Sequence, residues 1–201
     1  LKLELIARLK PLKGAFSEGN NGMVEYCVNR PQEGWFFDLR LLDAVGCEVW
    51  KATTDVGHKL SEGVYFNAKD PARLFGYLEA KLPAIHAWNA EDPYRYTLTV
   101  TLRNQERGVM ESSAIKIGFR RVEVRRRELL INGKPVLIQG VNRHEHDPRT
   151  GRTLSIESMR RDLILMKQFN VNAIRTSHYP DAPEFYDLCD ELGFYVFDEA
   201  N

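Results

Sequence analysis

The sequence predicts two unlike parts, a β-sandwich of immunoglobulin type over residues 1–118 and a parallel α/β sheet over residues 119–201. The first part carries about seven short segments of alternating apolar and polar residues between turn signals, a spacing typical of such sandwiches. The second part alternates short apolar strands with helical patterns, which indicates a parallel sheet with right-handed crossovers.

In the first part, alternation is clearest at residues 24–28, 35–42 and 94–102. Turn-forming residues separate these strands, at 18–22, 29–31, 45–46 and 89–93. Residues 70–77 are expected to form a helical turn. His58 and His86 each stand alone near turns, so we interpret them as surface or hydrogen-bonded structural residues.

A hairpin is expected at the start of the second part, with strands at 122–124 and 129–131 around an Arg126-Arg127 turn. Asn132-Gly133 predicts another turn, since both residues tolerate positive φ. The nearly continuous apolar stretch at 136–141 then predicts a strand that is buried on both faces.

Two helices and two further strands complete a β-α-β-α-β pattern. Ser155 is the expected N-cap of the first helix, whose apolar residues recur at helical spacing: Ile156, Met159, Leu163 and Met166. Asp181 with Glu184 predicts a capping-box start for the second helix, and Gly193 its end. Strands are expected at 172–176 and 194–197.

Each of the three predicted strands runs directly into polar or ionisable side chains. The first strand is followed by residues 142–146, the second by Ser177 and His178, and the third by Asp198 and Glu199. In parallel α/β proteins the carboxyl ends of the strands are where ligands bind. The sequence therefore predicts a functional site at this end of the sheet.

Charge and composition exclude several classes of function. The 201 residues suit one large domain or two small ones, and the 28 basic and 28 acidic residues leave a net charge of zero. This balance argues against a nucleic-acid or membrane-surface partner. A local arginine run lacks interleaved aromatics, so we interpret it as an exposed hairpin: Arg120, Arg121, Arg125, Arg126 and Arg127. No apolar stretch approaches the roughly 20 residues of a membrane span.

The three cysteines, Cys27, Cys47 and Cys189, form no Cys-x-x-Cys pair and no disulfide framework. This usage indicates buried thiols in a reducing compartment, so a cytoplasmic location is expected and a structural zinc site is not. The chain begins with Leu1 inside a predicted strand and ends just after an acidic pair. We interpret it as a segment of a longer protein.

Five motifs resemble glycoside hydrolase family 2, and within it the large bacterial β-galactosidases: residues 132–135, 140–145, 162–167, 175–180 and 198–201. Upstream, Trp88, residues 91–94 and residues 118–123 resemble that family's connection between sandwich and barrel. Arg143 and the final motif are similar to the galactosidases; the family's glucuronidases tend to carry Lys and Cys there. Gln139 departs from the Arg of familiar galactosidases.

The resemblance implies an immunoglobulin-like sandwich followed by the first three strands of an incomplete (β/α)8 TIM barrel, since a closed barrel needs about 250 residues. It also implies retaining hydrolysis of terminal non-reducing β-D-galactosides. Both catalytic glutamates of the family lie on later strands. We therefore expect no catalytic residue in this segment, and no activity from the segment alone.

By the same resemblance, His144 and His178 are expected to contact the galactosyl ring, rather than merely to cap the core. The planar fork of Arg175 suits orientation of a catalytic carboxylate from elsewhere in the barrel. Five further residues are expected to support these side chains: Arg143, Glu145, His146, Asp198 and Glu199. Asp198 and Glu199 are expected to bond to barrel arginines such as Arg175.

No complete metal site is expected in this segment; the resemblance implies magnesium, and sodium as a second candidate, for the full-length protein. It further implies a carbohydrate substrate and a homo-oligomer. Two alternatives stay open. In the first, the parent is another family 2 glycosidase, a β-glucuronidase or β-mannosidase. In the second, the fragment alone is a non-catalytic structural and interaction module.

Overall fold

The computed structural model describes residues 4–10, 20–29, 34–55, 73–82, 85–106 and 108–200. The chain divides into two compact units. The first comprises Leu1–His86 with Arg95–Phe119, and the second comprises Ala87–Tyr94 with Arg120–Asn201. Among the described residues, no helix is long and apolar enough to cross a membrane.

The first unit is built from antiparallel strands. Their bounds are β1 Glu4–Lys10, β2 Asn20–Asn29, β3 Trp35–Leu42, β4 Glu48–Asp55, β5 Arg73–Leu82, β6 Tyr96–Asn104 and β7 Gly108–Ile117. One sheet has the order β1-β2-β5 and the other the order β4-β3-β6-β7. The helical turn predicted at 70–77 is wrong for its described part, because residues 73–77 belong to β5 and pair with β2. That pairing outweighs a weak local signal.

The four-stranded sheet buries one face, as the alternation in β3 and β6 predicts. Its buried side chains are Trp35, Phe37, Leu39, Leu41, Tyr96, Leu98, Val100 and Leu102. Asp38 and Arg103 form an ion pair on the opposite face, since successive side chains point to opposite sides. His86 is exposed, and His58 lies outside the described residues.

The second unit contains a hairpin sheet and a parallel sheet. Its elements are β8 Val122–Arg125, β9 Glu128–Ile131, β10 Lys134–Pro135, β11 Gly140–Arg143, α1 Ile156–Gln168, β12 Ala173–Thr176, α2 Pro183–Leu192 and β13 Tyr195–Phe197. The order β11-β12-β13 is parallel throughout. The predicted hairpin is confirmed, with Arg126 and Arg127 at φ 52° and 68°, as a two-residue turn of this kind requires.

The strand predicted at 136–141 is wrong in its bounds and its burial. It begins only at Gly140, and Leu137 is 77% exposed. Val136 and Ile138 instead pack beside a buried cluster that includes Ile131 and Ala173. In the described part of the chain β11 has one neighbouring strand, so the apolar run covers the amino end of the sheet and is not enclosed within it.

The first predicted helix is confirmed, and the second is confirmed except for its cap. Ser155 caps α1 by accepting from the Ser158 N–H. The capping box predicted at Asp181 is wrong, because Ala182 is the N-cap of α2 and makes no side-chain bond. The carboxylate of Asp181 pairs with Arg143 instead. Gly193 ends α2 in the left-handed conformation, as predicted.

The segment Ala87–Tyr94 packs within the second unit, although residues of the first unit flank it on both sides. Trp88 is 2% exposed and donates its Nε1–H to the Asp190 carbonyl at 2.8 Å. The Lys167 ammonium donates to the Ala90 carbonyl at 2.9 Å. A contiguous boundary at residue 118 does not capture this packing.

The expectation of buried thiols holds for one of the two cysteines whose side chains are described. Cys189 is 1% exposed in the core formed by α1, α2 and the parallel sheet, and burial raises the pKa of its thiol to about 12. Cys47 is exposed, because it lies in the turn between β3 and β4.

Candidate functional site

The parallel sheet brings the three predicted polar clusters to one end. The register pairs Arg143 with Thr176 and Arg175 with Phe197, so β11, β12 and β13 end side by side. The rings of His144 and His178 meet edge to face, with centroids 5.3 Å apart and planes at 74°. Both histidines are exposed, so a ligand can reach their ring nitrogens.

Glu199 joins two of the predicted site residues. Its Oε2 accepts from the Arg175 Nη2 at 2.7 Å and lies 3.2 Å from the Nδ1 of His178. Because a carboxylate paired with an arginine only accepts, Nδ1 of His178 carries the proton. The neutral ring then offers Nε2 as an acceptor for a ligand hydroxyl, and the protonated ring offers it as a donor.

Asp198 has different partners from those predicted. Among the described residues it bonds to no arginine. Its Oδ1 accepts from the hydroxyls of Thr176 at 3.0 Å and Tyr186 at 2.6 Å. The Thr176 hydroxyl also accepts the Glu199 N–H at 2.9 Å, and the Tyr186 hydroxyl accepts the Asp181 N–H at 2.9 Å. Burial, together with donation to Asp198, raises the pKa of Tyr186 to about 12.

Arg143 lies beneath the site and is itself buried. Its Nη1 donates to Asp181 at 2.8 Å and its Nη2 to Asp162 at 3.3 Å, and its guanidinium stacks on the Phe185 ring at 4.5 Å. Desolvation raises the pKa of Asp181, although the guanidinium opposes that shift. Arg143 therefore holds the structure below the site and does not face a ligand.

The remaining predicted residues lie at the edge of the site. Glu145 is half-buried and accepts the Ala182 N–H at 3.4 Å, so it steadies the start of α2. His146 is exposed, and among the described residues it makes no hydrogen bond to the other site residues. Gln139 lies at the amino end of β12, where its backbone N–H donates to the Asn172 side chain and its carbonyl accepts the Asn172 N–H.

Sequence reasoning missed Thr176 and Tyr186. Thr176 lies between Arg175 and Ser177, and its place at a strand end beside the ionisable residues is a usable signal. Tyr186 lies on α2 and is joined to the site only through the folded chain, so no local signal identifies it.

A metal centre needs several ligand side chains that lie close together. Within the described ranges, no three His, Cys, Asp or Glu side chains converge on one point. The donor set at the strand ends is also committed to other partners, since Glu199 pairs with Arg175 and Asp198 accepts from two hydroxyls. Both acidic side chains at the strand ends are therefore already engaged by neighbouring groups.

A cavity of about 550 Å³ lies at the other end of the parallel sheet, where β12 and β13 begin. Among its lining residues are Asn89, Asn132 and Asn172. Their side chains bond to nearby backbone groups, so they are structural.

Two family models match the chain. The model described as glycosyl hydrolases family 2, TIM barrel domain, matches residues 122–201. The model described as glycosyl hydrolases family 2 matches residues 37–120.

Curated relatives are β-galactosidases. The chain is 54% identical to that of Photobacterium profundum over 114 residues, 57% of this chain and 11% of the relative. It is 38% identical to that of Psychromonas ingrahamii over 190 residues, 94% of this chain. The chain spans only 18% of the length of this second relative.

Similar solved structures are β-glucuronidases. The Bifidobacterium dentium enzyme, complexed with coumarin-3-O-glucuronide, has a TM-score of 0.80 at 26% identity, covering 98% of this chain and 30% of that one. The Ruminococcus gnavus enzyme, in complex with D-glucaro 1,5-lactone, has a TM-score of 0.74 at 27% identity, covering 98% of this chain and 29% of that one.

Proposed function

Because the chain belongs to glycosyl hydrolase family 2, with an immunoglobulin-like domain followed by the start of the TIM barrel, we propose that it is a segment of a retaining β-galactosidase. In this proposal β11, β12 and β13 are the first three strands of the eight-stranded barrel. The parent hydrolyses terminal non-reducing β-D-galactosides. It is a cytoplasmic homo-oligomer and holds magnesium through ligands that this segment does not complete.

The observation that carries the proposal is the cluster of His144, His178, Arg175 and Glu199 at the carboxyl ends of the parallel strands. In barrel enzymes this end of the sheet holds the active site. Two adjacent exposed imidazoles, one of them oriented by a carboxylate, suit recognition of vicinal sugar hydroxyls. Over comparable spans, the identity of 38% to a β-galactosidase across 94% of the chain, against 26% to a β-glucuronidase across 98%, favours the galactoside.

Retaining glycosidases use two carboxylates about 5 Å apart, one as acid/base and one as nucleophile. We assign neither role to Glu199, because Arg175 and His178 already bind its carboxylate. The proposed work of this segment is to hold the sugar. His144 and His178 contact ring hydroxyls, and Glu199 fixes the His178 ring. Arg175 orients a catalytic carboxylate from elsewhere in the barrel.

A second candidate is a β-glucuronidase, favoured by the structural neighbours. Purified full-length protein should be assayed on p-nitrophenyl β-galactoside, β-glucuronide and β-mannoside, with the 201-residue chain as a parallel sample. We expect turnover of the galactoside by the full-length protein and none by the chain alone. Preference for the glucuronide would establish the second candidate. Activity of the isolated chain would show that its own carboxylates perform the reaction.

A further inference from the structure

We propose that Thr176 and Tyr186 form a hydroxyl clamp, in which both hydroxyls bind Asp198 Oδ1 and hold the backbone after β13 so that Glu199 faces His178 and Arg175. In this role they are positioning residues and do not contact the substrate. The inference rests on the proposed glycosidase function for its catalytic consequence. The claim that the two hydroxyls hold Glu199 in place rests on the observed contacts alone.

The clamp begins where the backbone ladder stops. The pairing of β12 with β13 ends at Arg175 opposite Phe197. Asp198 and Glu199, which follow Phe197, therefore have no partner on β12 in that pairing. Thr176 continues the connection with its side chain, donating to Asp198 Oδ1 and accepting the Glu199 N–H. Thr176 is fully buried, whereas Asp198 is exposed.

Tyr186 reaches the same oxygen from α2. Its hydroxyl donates to Asp198 Oδ1 and accepts the Asp181 N–H, while the Asp181 carboxylate binds Arg143. A continuous set of bonds therefore joins Arg143 at the end of β11, Thr176 at the end of β12 and Asp198 after β13. These are the three points from which His144, His178 and Glu199 project.

The placement of Glu199 is demanding. One oxygen, Oε2, serves both Arg175 Nη2 at 2.7 Å and His178 Nδ1 at 3.2 Å. A shift of the Glu199 backbone by about 1 Å breaks one of these contacts, and a displacement of that size in an active site costs up to about a hundredfold in rate. The two hydroxyls prevent this shift.

The test uses four variants of the full-length protein. Thr176→Val keeps the shape and removes the hydroxyl, and Thr176→Ser keeps the hydroxyl. Tyr186→Phe removes the second donor. The matched control is Tyr195→Phe, which removes a buried hydroxyl at the amino end of β13, where it accepts the Ala90 N–H at 3.4 Å. Turnover of p-nitrophenyl β-galactoside and crystal structures of the variants are the two measurements.

We expect Thr176→Val to lower kcat about tenfold with KM unchanged, as for an interaction needed in the transition state. Thr176→Ser should recover most of this loss, and Tyr195→Phe should retain the kcat of the parent. In the crystal structure of Thr176→Val, Glu199 should leave His178 or Arg175. A merely structural threonine would instead lower the melting temperature and leave kcat per folded enzyme unchanged, and this result would overturn the proposal.

The two measurements separate the clamp from the proposed function. If the unaltered full-length protein turns over no glycoside, the proposed function fails, and the crystal structures alone decide the clamp. Glu199 remaining in place in Thr176→Val would then refute it. If the protein is active but Thr176→Val matches its kcat, the clamp is wrong and the function stands. If Thr176→Val does not fold, Tyr186→Phe decides by the same two measurements.

Discussion

Gly193 offers a sharp test of how the segment Ala87–Tyr94 is held in the second unit. Gly193 ends α2 at φ 79°, and a Cβ placed there would lie 2.2 Å from the Ala90 carbonyl oxygen. Real Cβ atoms do not tolerate such a contact, so Gly193→Ala must displace the backbone of Ala90. We expect the segment to detach more readily in this variant.

The magnitude follows from two costs. An alanine in the left-handed conformation costs about 1–2 kcal/mol. Displacing the Ala90 carbonyl also breaks its bond from the Lys167 ammonium at 2.9 Å, and a hydrogen bond to a charged group contributes about 1.5–3 kcal/mol. The total is about 3–5 kcal/mol, and the half-buried Lys167 is then left without this acceptor.

Gly151→Ala provides the matched control. Gly151 has φ 67° in the same unit, and a Cβ there meets nothing within 4 Å. This variant bears the conformational cost alone, about 1–2 kcal/mol. Hydrogen–deuterium exchange of residues 87–94 in the full-length protein measures the opening of the segment. Gly193→Ala should accelerate it about tenfold to a hundredfold relative to this control, because the Lys167 bond contributes about 1.5–3 kcal/mol and each 1.4 kcal/mol is tenfold.

Equal exchange of residues 87–94 in Gly193→Ala and Gly151→Ala would refute this reasoning. It would mean that the close approach of Gly193 to Ala90 does not hold the segment.

Three further predictions concern the site and the core. In the full-length protein, His178→Phe should lower kcat about a hundredfold with the melting temperature unchanged, because it removes a positioned ring nitrogen, whereas the exposed His146→Phe should stay within about threefold; steady-state kinetics in the reverse order would contradict the assignment. Arg143→Met should destabilise the protein by about 3–5 kcal/mol by leaving Asp181 buried without its cation. Because the pKa of folded Asp181 is raised, its contribution to stability is complete at a pH below the ordinary pKa and is lost as the pH rises through the raised pKa. Arg143→Met raises this pKa further. Denaturation should therefore show a smaller loss of unfolding free energy at about pH 5 than at about pH 8. Iodoacetamide should alkylate the exposed Cys47 and spare Cys189, whose buried thiol has a pKa raised to about 12, and peptide mass mapping that finds native Cys189 modified would contradict the packing.

Local patterns predicted the elements in which one residue's chemistry decides the backbone. Ser155 begins α1 and Gly193 ends α2, because capping and positive φ are properties of those residues themselves. The alternation in β3 and β6 likewise reports a sheet with one buried face. These predictions needed no knowledge of distant residues.

Long-range pairing decided the predictions that failed. Asp181 suits a helix cap by local chemistry. Arg143 is 38 residues away in sequence but adjacent in the fold, and its charged hydrogen bond to the Asp181 carboxylate is stronger than a helix cap. The apolar residues at 136–138 suit a buried strand equally well as a cover for the end of a sheet. Only the position of Ile131 and Ala173 distinguishes the two.

At the candidate site, the strand ends predicted which residues cluster but not the hydrogen bonds that join them. His144, His178, Arg175 and Glu199 meet because parallel strands finish at one edge. In sequence, Thr176 is marked only by its place at the end of a strand, and Tyr186 is a helix residue with no local signal. Their role follows from the single oxygen of Asp198 that both bind.

The segment Ala87–Tyr94 also determines how this protein can be cut and recombined. The polypeptide passes from one unit to the other after His86, returns after Tyr94 and leaves again after Phe119. Neither unit is a contiguous cassette. A chimera joined at residue 118 would take the buried side chain of Trp88 from one parent and the residues that it packs against, among them Tyr195, from the other. Domain exchange in this family member therefore requires a paired exchange of both pieces of a unit, because a single junction upstream of residue 87 would take β3 and its partner β6 from different parents.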